Sequence, residues 1–274
     1  MKLDPRWLEH PAFSVLESVV HERLARLEHF PEPSELRELA LGIPSSAEPW
    51  FDFVPQDDVR LEAAGGFDAL IAQNGLIPTR PGLHHDLLGA LIWLHFPALK
   101  TAIHRAQVAG SAGPRGPREN AATHLDESGV LVVSSDASVF EALANLEWSE
   151  LFWQRRAALL RTTRFIAFGH GLLDSLREPH PKLMGKALFV HVSPLPLELG
   201  ASQLRVFVDE QVAQRLPQFL NEPARLHPLP VLGIPGWSAQ QCEAFYRNEQ
   251  YFRVARLRPR AVSDAACLDL RAAL

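Results

Sequence analysis

The longest apolar stretch, Leu87 to Leu94 (LLGALIWL), is apolar on every face. A helix apolar all round belongs in the interior rather than on a surface. The run is also far shorter than the roughly 20 residues that span a bilayer. It therefore predicts a central buried helix of a globular protein, and the rest of the chain has to wrap around it. Pro97 follows closely and cannot lie inside a regular helix without removing a hydrogen bond. A second helix over 98–107, bent away from the first, is expected.

Apolar residues at helical spacing predict a helix over residues 13–29, a short one from about Ser34, and another over 58–73 ending at Asn74-Gly75. GIPSSAEPWFDFVP reads as a loop, and so does the Gly/Pro-rich AGSAGPRGPREN. GVLVVSS and KALFVHV are β-branched, apolar and bounded by turn residues, so they predict strands over 129–135 and 186–192. Ser135 or Asp136 is placed to cap a helix reaching Asn145. One long helical pattern is read from Trp148 to Leu176, and another over 201–220. From Pro228 the chain is extended and proline-rich. The expected fold is α+β and helix-dominated: a central buried helix, a small β element, and an extended tail packed on the body. The expectation is a single domain over 1–274, with a helical part to residue 57, a core over 58–225, a tail over 226–260 and an extension over 261–274.

Composition excludes several partners. The 27 basic residues are outnumbered by 32 acidic ones, giving a net charge of −5, so no global positive field draws nucleic acid or an anionic membrane. YFRVARLRPR interleaves aromatics with arginines, a feature of nucleic-acid binders, but the net charge opposes that reading. Cys242 and Cys267 form neither a disulfide framework nor a CxxC pair. With no secretory apolar core in MKLDPRWLEHPAF, a cytoplasmic protein is expected. Familiar machinery is also missing. The Gly-Lys pair of LMGKA has His180 where a P-loop needs its first glycine, and Ala187 replaces the magnesium-binding hydroxyl. There is no HExxH, EF-hand loop or GxSxG elbow.

Three polar groups abut apolar elements. Asp86 directly precedes the apolar run, as an N-cap does, and Arg80 and a histidine beside it would complete an anion pocket. His84 and His85 are about 100° apart on a helix, so at most one joins a site. In THLDESG, an extended segment would point His124 and Asp126 the same way, as a metal pair or as base and orienter. Turn chemistry is the stronger reading there. His170 lies between Gly169 and Gly171 in the long helical pattern. Paired glycines in a helix signal close approach of a backbone or ligand, although a histidine on an apolar face is more often core. Lys186 starts an apolar strand, where it reaches into a pocket or points to solvent.

IPTRPGLHHDLLGALIWLHFPALKTAIH, LDESGVLVVSSD, WSELFWQRRAALLRTTRFIAFGHGLL, GKALFV and LPVLGIPGWSAQQCEAFYRNEQYFR together resemble a bacterial family catalogued as domain of unknown function 3025. The resemblance runs from about Ile77 to Arg253. It includes Arg80, His85, Asp86, Trp93, Asp126, Glu127, His170, Gly185 and Lys186, but not clearly His84 or His124. It implies one family domain whose tail is integral, and no activity. The residues then suggest a polar pocket with His85, Asp86, Asp126, Glu127 and His170 as catalytic candidates. Arg80 and Lys186 would hold a small anionic ligand, with a divalent metal as candidate cofactor. Metal-assisted hydrolysis or anion binding is one expectation. The alternative is a non-catalytic interaction or scaffold domain whose polar motifs are caps and turns, so whether the chain is an enzyme stays open.

Overall fold

The computed structural model describes residues 3–46, 48–109, 116–192, 200–220, 226–253 and 267–270. The helices are α1 (Ser18–Arg26), α2 (Leu36–Leu39), α3 (Arg60–Ala64), α4 (Phe67–Asn74), α5 (His84–His95), α6 (Pro97–Val108), α7 (Pro117–Ser128), α8 (Ala137–Ala144), α9 (Arg156–Thr162), α10 (His170–Leu176), α11 (Ala201–Phe219) and α12 (Glu243–Tyr246). The strands are β1 (Asp52–Pro55), β2 (Leu76–Thr79), β3 (Gly129–Ser134), β4 (Thr163–Ala167), β5 (Met184–His191), β6 (His227–Pro230) and β7 (Leu268–Asp269). The fold is helix-dominated α+β.

β1 and β2 form a parallel pair. The larger sheet runs β4-β3-β5-β6, and β7 pairs with the far end of β5. β3 lies antiparallel to β4 and parallel to β5. All six residues of β3 are buried, which is why its sequence is continuously apolar rather than alternating. β6 pairs antiparallel with β5, so the proline-rich segment is part of the sheet. One contiguous cluster of buried apolar residues extends from Leu3 to Leu270.

α5 is the buried helix expected from its sequence: Leu88, Leu91 and Ile92 have no exposed surface. Burying each such side chain contributes about 1.5–3 kcal/mol. The chain bends by 114° between α5 and α6. Pro97 opens α6, and the backbone N–H groups of Ala98 and Leu99 donate to the Asp209 carboxylate at 3.2 and 2.7 Å. Arg205, one turn earlier on α11, donates to the carbonyls of His95 and Pro44 and to Glu17. α11 thus clamps the bend that sets α5 against α6. No single helix among the described residues is long and apolar enough to cross a membrane.

Several expectations change. The helix expected over 13–29 is shorter, because a 3-10 turn at Pro11–Val15 precedes α1. That over 58–73 breaks into α3 and α4 at Gly65 and Gly66, whose φ values are 89° and 125°. The expected loop around Phe51–Pro55 contains β1. The long helix over 148–176 is a π-helical turn (Glu150–Gln154), α9, β4 and α10. β4 reads TRFIA, and pairing with buried β3 overrides the helical period of its neighbours. The segment THLDESG is not a turn, and only its last residue is extended: Thr123 to Ser128 form the C-terminal half of α7, which Pro117 opens at N1, and Gly129 begins β3. The Gly110–Arg115 part of the Gly/Pro-rich segment and the basic tail beyond Arg253 lie outside the described residues.

Candidate functional site

Two backbones cross where α7 runs into β3 and β4 runs into α10. The Gly129 carbonyl accepts from both Phe168 N and Gly169 N at 2.9 Å. A Cβ on Gly169 would lie 2.4 Å from Gly129 N and 2.5 Å from Ser128 N. This is the close backbone approach that the paired glycines suggested. It sets the first residue of α10, His170, beside Asp126 and Glu127 at the end of α7. Gly171 clears room for Glu127, whose Oε2 would be 2.5 Å from an added Cβ. A Cβ added at Gly89 on α5 would lie 3.5 Å from His170 Cδ2, and His85, one turn earlier, stacks obliquely on that ring with centroids 4.5 Å apart.

The resulting cavity holds about 380 Å³ and is lined by Arg80, His85, Asp86, Asp126, Glu127 and His170 among others. Six of the seven candidate residues therefore share one concavity. Lys186 does not; it lines a second cavity. His84 turns to the opposite side, edge-on to Phe30 with centroids 4.7 Å apart. His124 is exposed, and the helical conformation of α7 turns it away from Asp126, two residues on, by about 200°.

His85, Glu127 and His170 each offer a donor atom, and the three atoms lie within 4.8 Å of one another. His170 Nδ1 hydrogen-bonds the Asp126 carbonyl oxygen at 2.9 Å, an acceptor only. The ring must therefore donate from Nδ1, which leaves the Nε2 lone pair free, 3.6 Å from Glu127 Oε1. Burial holds the His170 pKa below its ordinary value, against the pull of Asp126 and Glu127, so the ring is neutral at pH 7. A neutral imidazole with its outward nitrogen bare is a metal ligand in its binding form.

The other acids are already engaged. Asp126 pairs with Lys100, which lies over the Trp93 ring at 5.1 Å, and accepts from Gln107 Nε2 at 3.4 Å. Burial alone would raise the Asp126 pKa, but Lys100 and His170 bring it below the usual carboxylate range. Asp86 is not the N-cap of α5, since Leu83 occupies that position. Its carboxylate turns back instead to Arg80, accepting from the backbone N–H at 2.8 Å and from Nε and Nη2 at 3.0 and 2.8 Å. It closes the loop before the helix as a clasp. Lys100, His104 and Gln107 were missed from sequence. Their spacing puts them on one face of α6, a polar stripe within a largely buried helix, and that was the available signal.

The family described as Protein of unknown function (DUF3025) matches residues 51–256, which takes in every residue of this cavity. The chain belongs to that family. No curated protein and no solved structure matches it.

Proposed function

We propose that the chain is a divalent-cation-dependent hydrolase acting on a small anionic substrate, with the cation held by His85, Glu127 and His170. The observation that carries this reading is the convergence of those donor atoms from three different helices. Ligands on a tetrahedral ion bound at about 2.0–2.1 Å stand roughly 3.4 Å apart, close to the separation of His170 Nε2 and Glu127 Oε1. Two histidines and one glutamate leave a fourth position for water, whose pKa a cation lowers toward about 7. Both histidines then serve as ligands rather than proton carriers. Asp126 supports the centre by holding His170 through its backbone carbonyl, while Lys100 neutralises its side chain. The Arg80–Asp86 pair uses Nε and Nη2, leaving Nη1 at the half-exposed mouth for an anionic group.

A second reading rests on a specific observation: Asp86 and Asp126 are both in closed ion pairs, as expected of supports in a non-catalytic scaffold. Turnover on a panel of phosphoesters and carboxylic esters, with zinc, manganese, cobalt and magnesium in turn, separates the two. The hydrolase reading expects activity that Glu127→Gln lowers by about 100-fold or more while the melting temperature holds. A wild-type protein inert across the whole panel sinks it.

A further inference from the structure

The second cavity holds about 520 Å³, and its walls divide by chemistry. Leu146, Trp148, Met184, Pro228 and Tyr251 supply apolar surface, whereas Lys182, Lys186 and Arg253 supply cations. No aspartate or glutamate among the described residues lines it. The contrast with the first cavity is direct, because Arg80 and Lys100 there each hold a carboxylate. Among the described residues, Lys182, Lys186 and Arg253 form no ion pair. Lys186 is half-buried on β5, in register with Gly129 of β3 on one side and Pro228 of β6 on the other.

The apolar wall is pinned by internal hydrogen bonds. Tyr251 Oη donates to the Leu183 carbonyl at 2.6 Å and accepts from Leu232 N at 3.1 Å. Trp148 Nε1 donates to the Arg253 carbonyl at 2.8 Å, fixing the backbone that carries one of the cations. Leu146 adds an independent observation. Glu147 N bonds Ala142 O at 2.9 Å and Leu146 N bonds Leu143 O at 3.2 Å, the pair of bonds that closes a helix with a left-handed residue. Glycine normally occupies that place, yet Leu146 sits there at φ 61°. Among the described residues it is the one non-glycine with positive φ. Strain of this kind concentrates at ligand sites, and here it presents a branched apolar side chain to the cavity.

We infer that this cavity binds a phosphorylated small molecule with a flat apolar body, the phosphates meeting Lys182, Lys186 and Arg253 and the body lying on the Leu146–Trp148–Tyr251 wall. Three cations with no counter-charge among the described residues favour a ligand with more than one negative charge over a single carboxylate. The size suits a small organic molecule. The site is separate from the His85–Glu127–His170 cluster and does not depend on the hydrolase reading.

Adenosine diphosphate serves as the probe, followed by calorimetry and by intrinsic tryptophan fluorescence, compared between wild type and Trp148→Phe, with adenosine and inorganic phosphate as partial probes. Saturable binding is expected, with each partial probe weaker than the whole. Lys186→Met and Arg253→Met should each weaken it by about tenfold or more, while His85→Ala leaves it unchanged. Thermal melting of each variant establishes that it is folded, and Lys182→Met gives a third, more exposed position should either fail to fold. No binding of the diphosphate at millimolar concentration overturns the inference. So does binding that the cation substitutions leave intact, or that His85→Ala removes.

Discussion

Asp126→Ala tests the cavity's internal support. Lys100 and Asp126 are both largely withdrawn from water, with side chains 5% and 13% exposed. Removing one member of such a pair leaves a buried charge uncompensated and typically costs about 3–5 kcal/mol. The Trp93 ring faces Lys100 before and after the change, so it offers no replacement. Scaled to 274 residues, the unfolding entropy is roughly 0.6 kcal/mol per kelvin, so the loss corresponds to a melting temperature about 5–9 °C lower. Replacing both partners with apolar residues, as in Lys100→Met/Asp126→Leu, removes the orphaned charge and should recover much of that loss. The pH dependence has a fixed sign. The carboxyl's folded pKa is depressed, so its stabilising contribution is full above the ordinary carboxylate range and fades as pH falls through the lower folded value. Denaturant unfolding and thermal melting at pH 7 provide the measurement. An Asp126→Ala protein that melts within 2 °C of wild type (about 1 kcal/mol), or a double variant no better than the single, would refute the reasoning.

Gly169→Ala forces a Cβ to within 2.4 Å of Gly129 N, a backbone atom that cannot swing aside. Destabilisation of about 1–3 kcal/mol or more is expected by denaturant unfolding, and an alanine tolerated without loss would contradict the close approach. His95 is buried, accepts from Glu17 N at 3.1 Å and bonds the Leu91 carbonyl at 2.7 Å, and burial lowers its pKa to about 4. The unfolded chain therefore binds the extra proton first. Wild-type stability should fall by on the order of 3 kcal/mol as pH drops from about 6.5 to 4, and His95→Gln should flatten that part of the profile. Asp86→Ala opens the clasp to Arg80, but Arg80 is half-exposed, so the melting temperature should fall only slightly. Proteolysis within residues 80–83 should quicken; an unchanged cleavage rate contradicts the clasp.

The most legible parts of the fold were those whose pattern depends only on burial. GVLVVS could be read as a buried strand because every residue is apolar or small, and α5 because no face of its Leu87–Leu94 run is polar. β4 was hidden because five residues of mixed character sit between helical patterns, and only pairing with β3 settles their conformation. α7 was hidden because Asp126, Glu127, Ser128 and Gly129 are turn residues by local preference. The run of α7 into β3, with Leu125 O capped by the Gly129 N–H, overrides that preference. The site followed the same division. His85, Asp126, Glu127 and His170 stood out as polar groups beside apolar elements, and the crossing at Gly129 and Gly169 brings them together. Lys186 has the same local signature, yet its strand faces another cavity. Which polar groups share a cavity is set by tertiary crossing, which local pattern does not encode.

Titration with cobalt(II), followed by visible absorption, reports on the proposed His85–Glu127–His170 cation site. One equivalent of cobalt is expected to bind with a low-symmetry, four- or five-coordinate spectrum, displaced by zinc and lost in His170→Ala and His85→Ala while both variants remain folded. A folded wild-type protein that binds no cobalt, or one whose cobalt spectrum survives both substitutions, would contradict it.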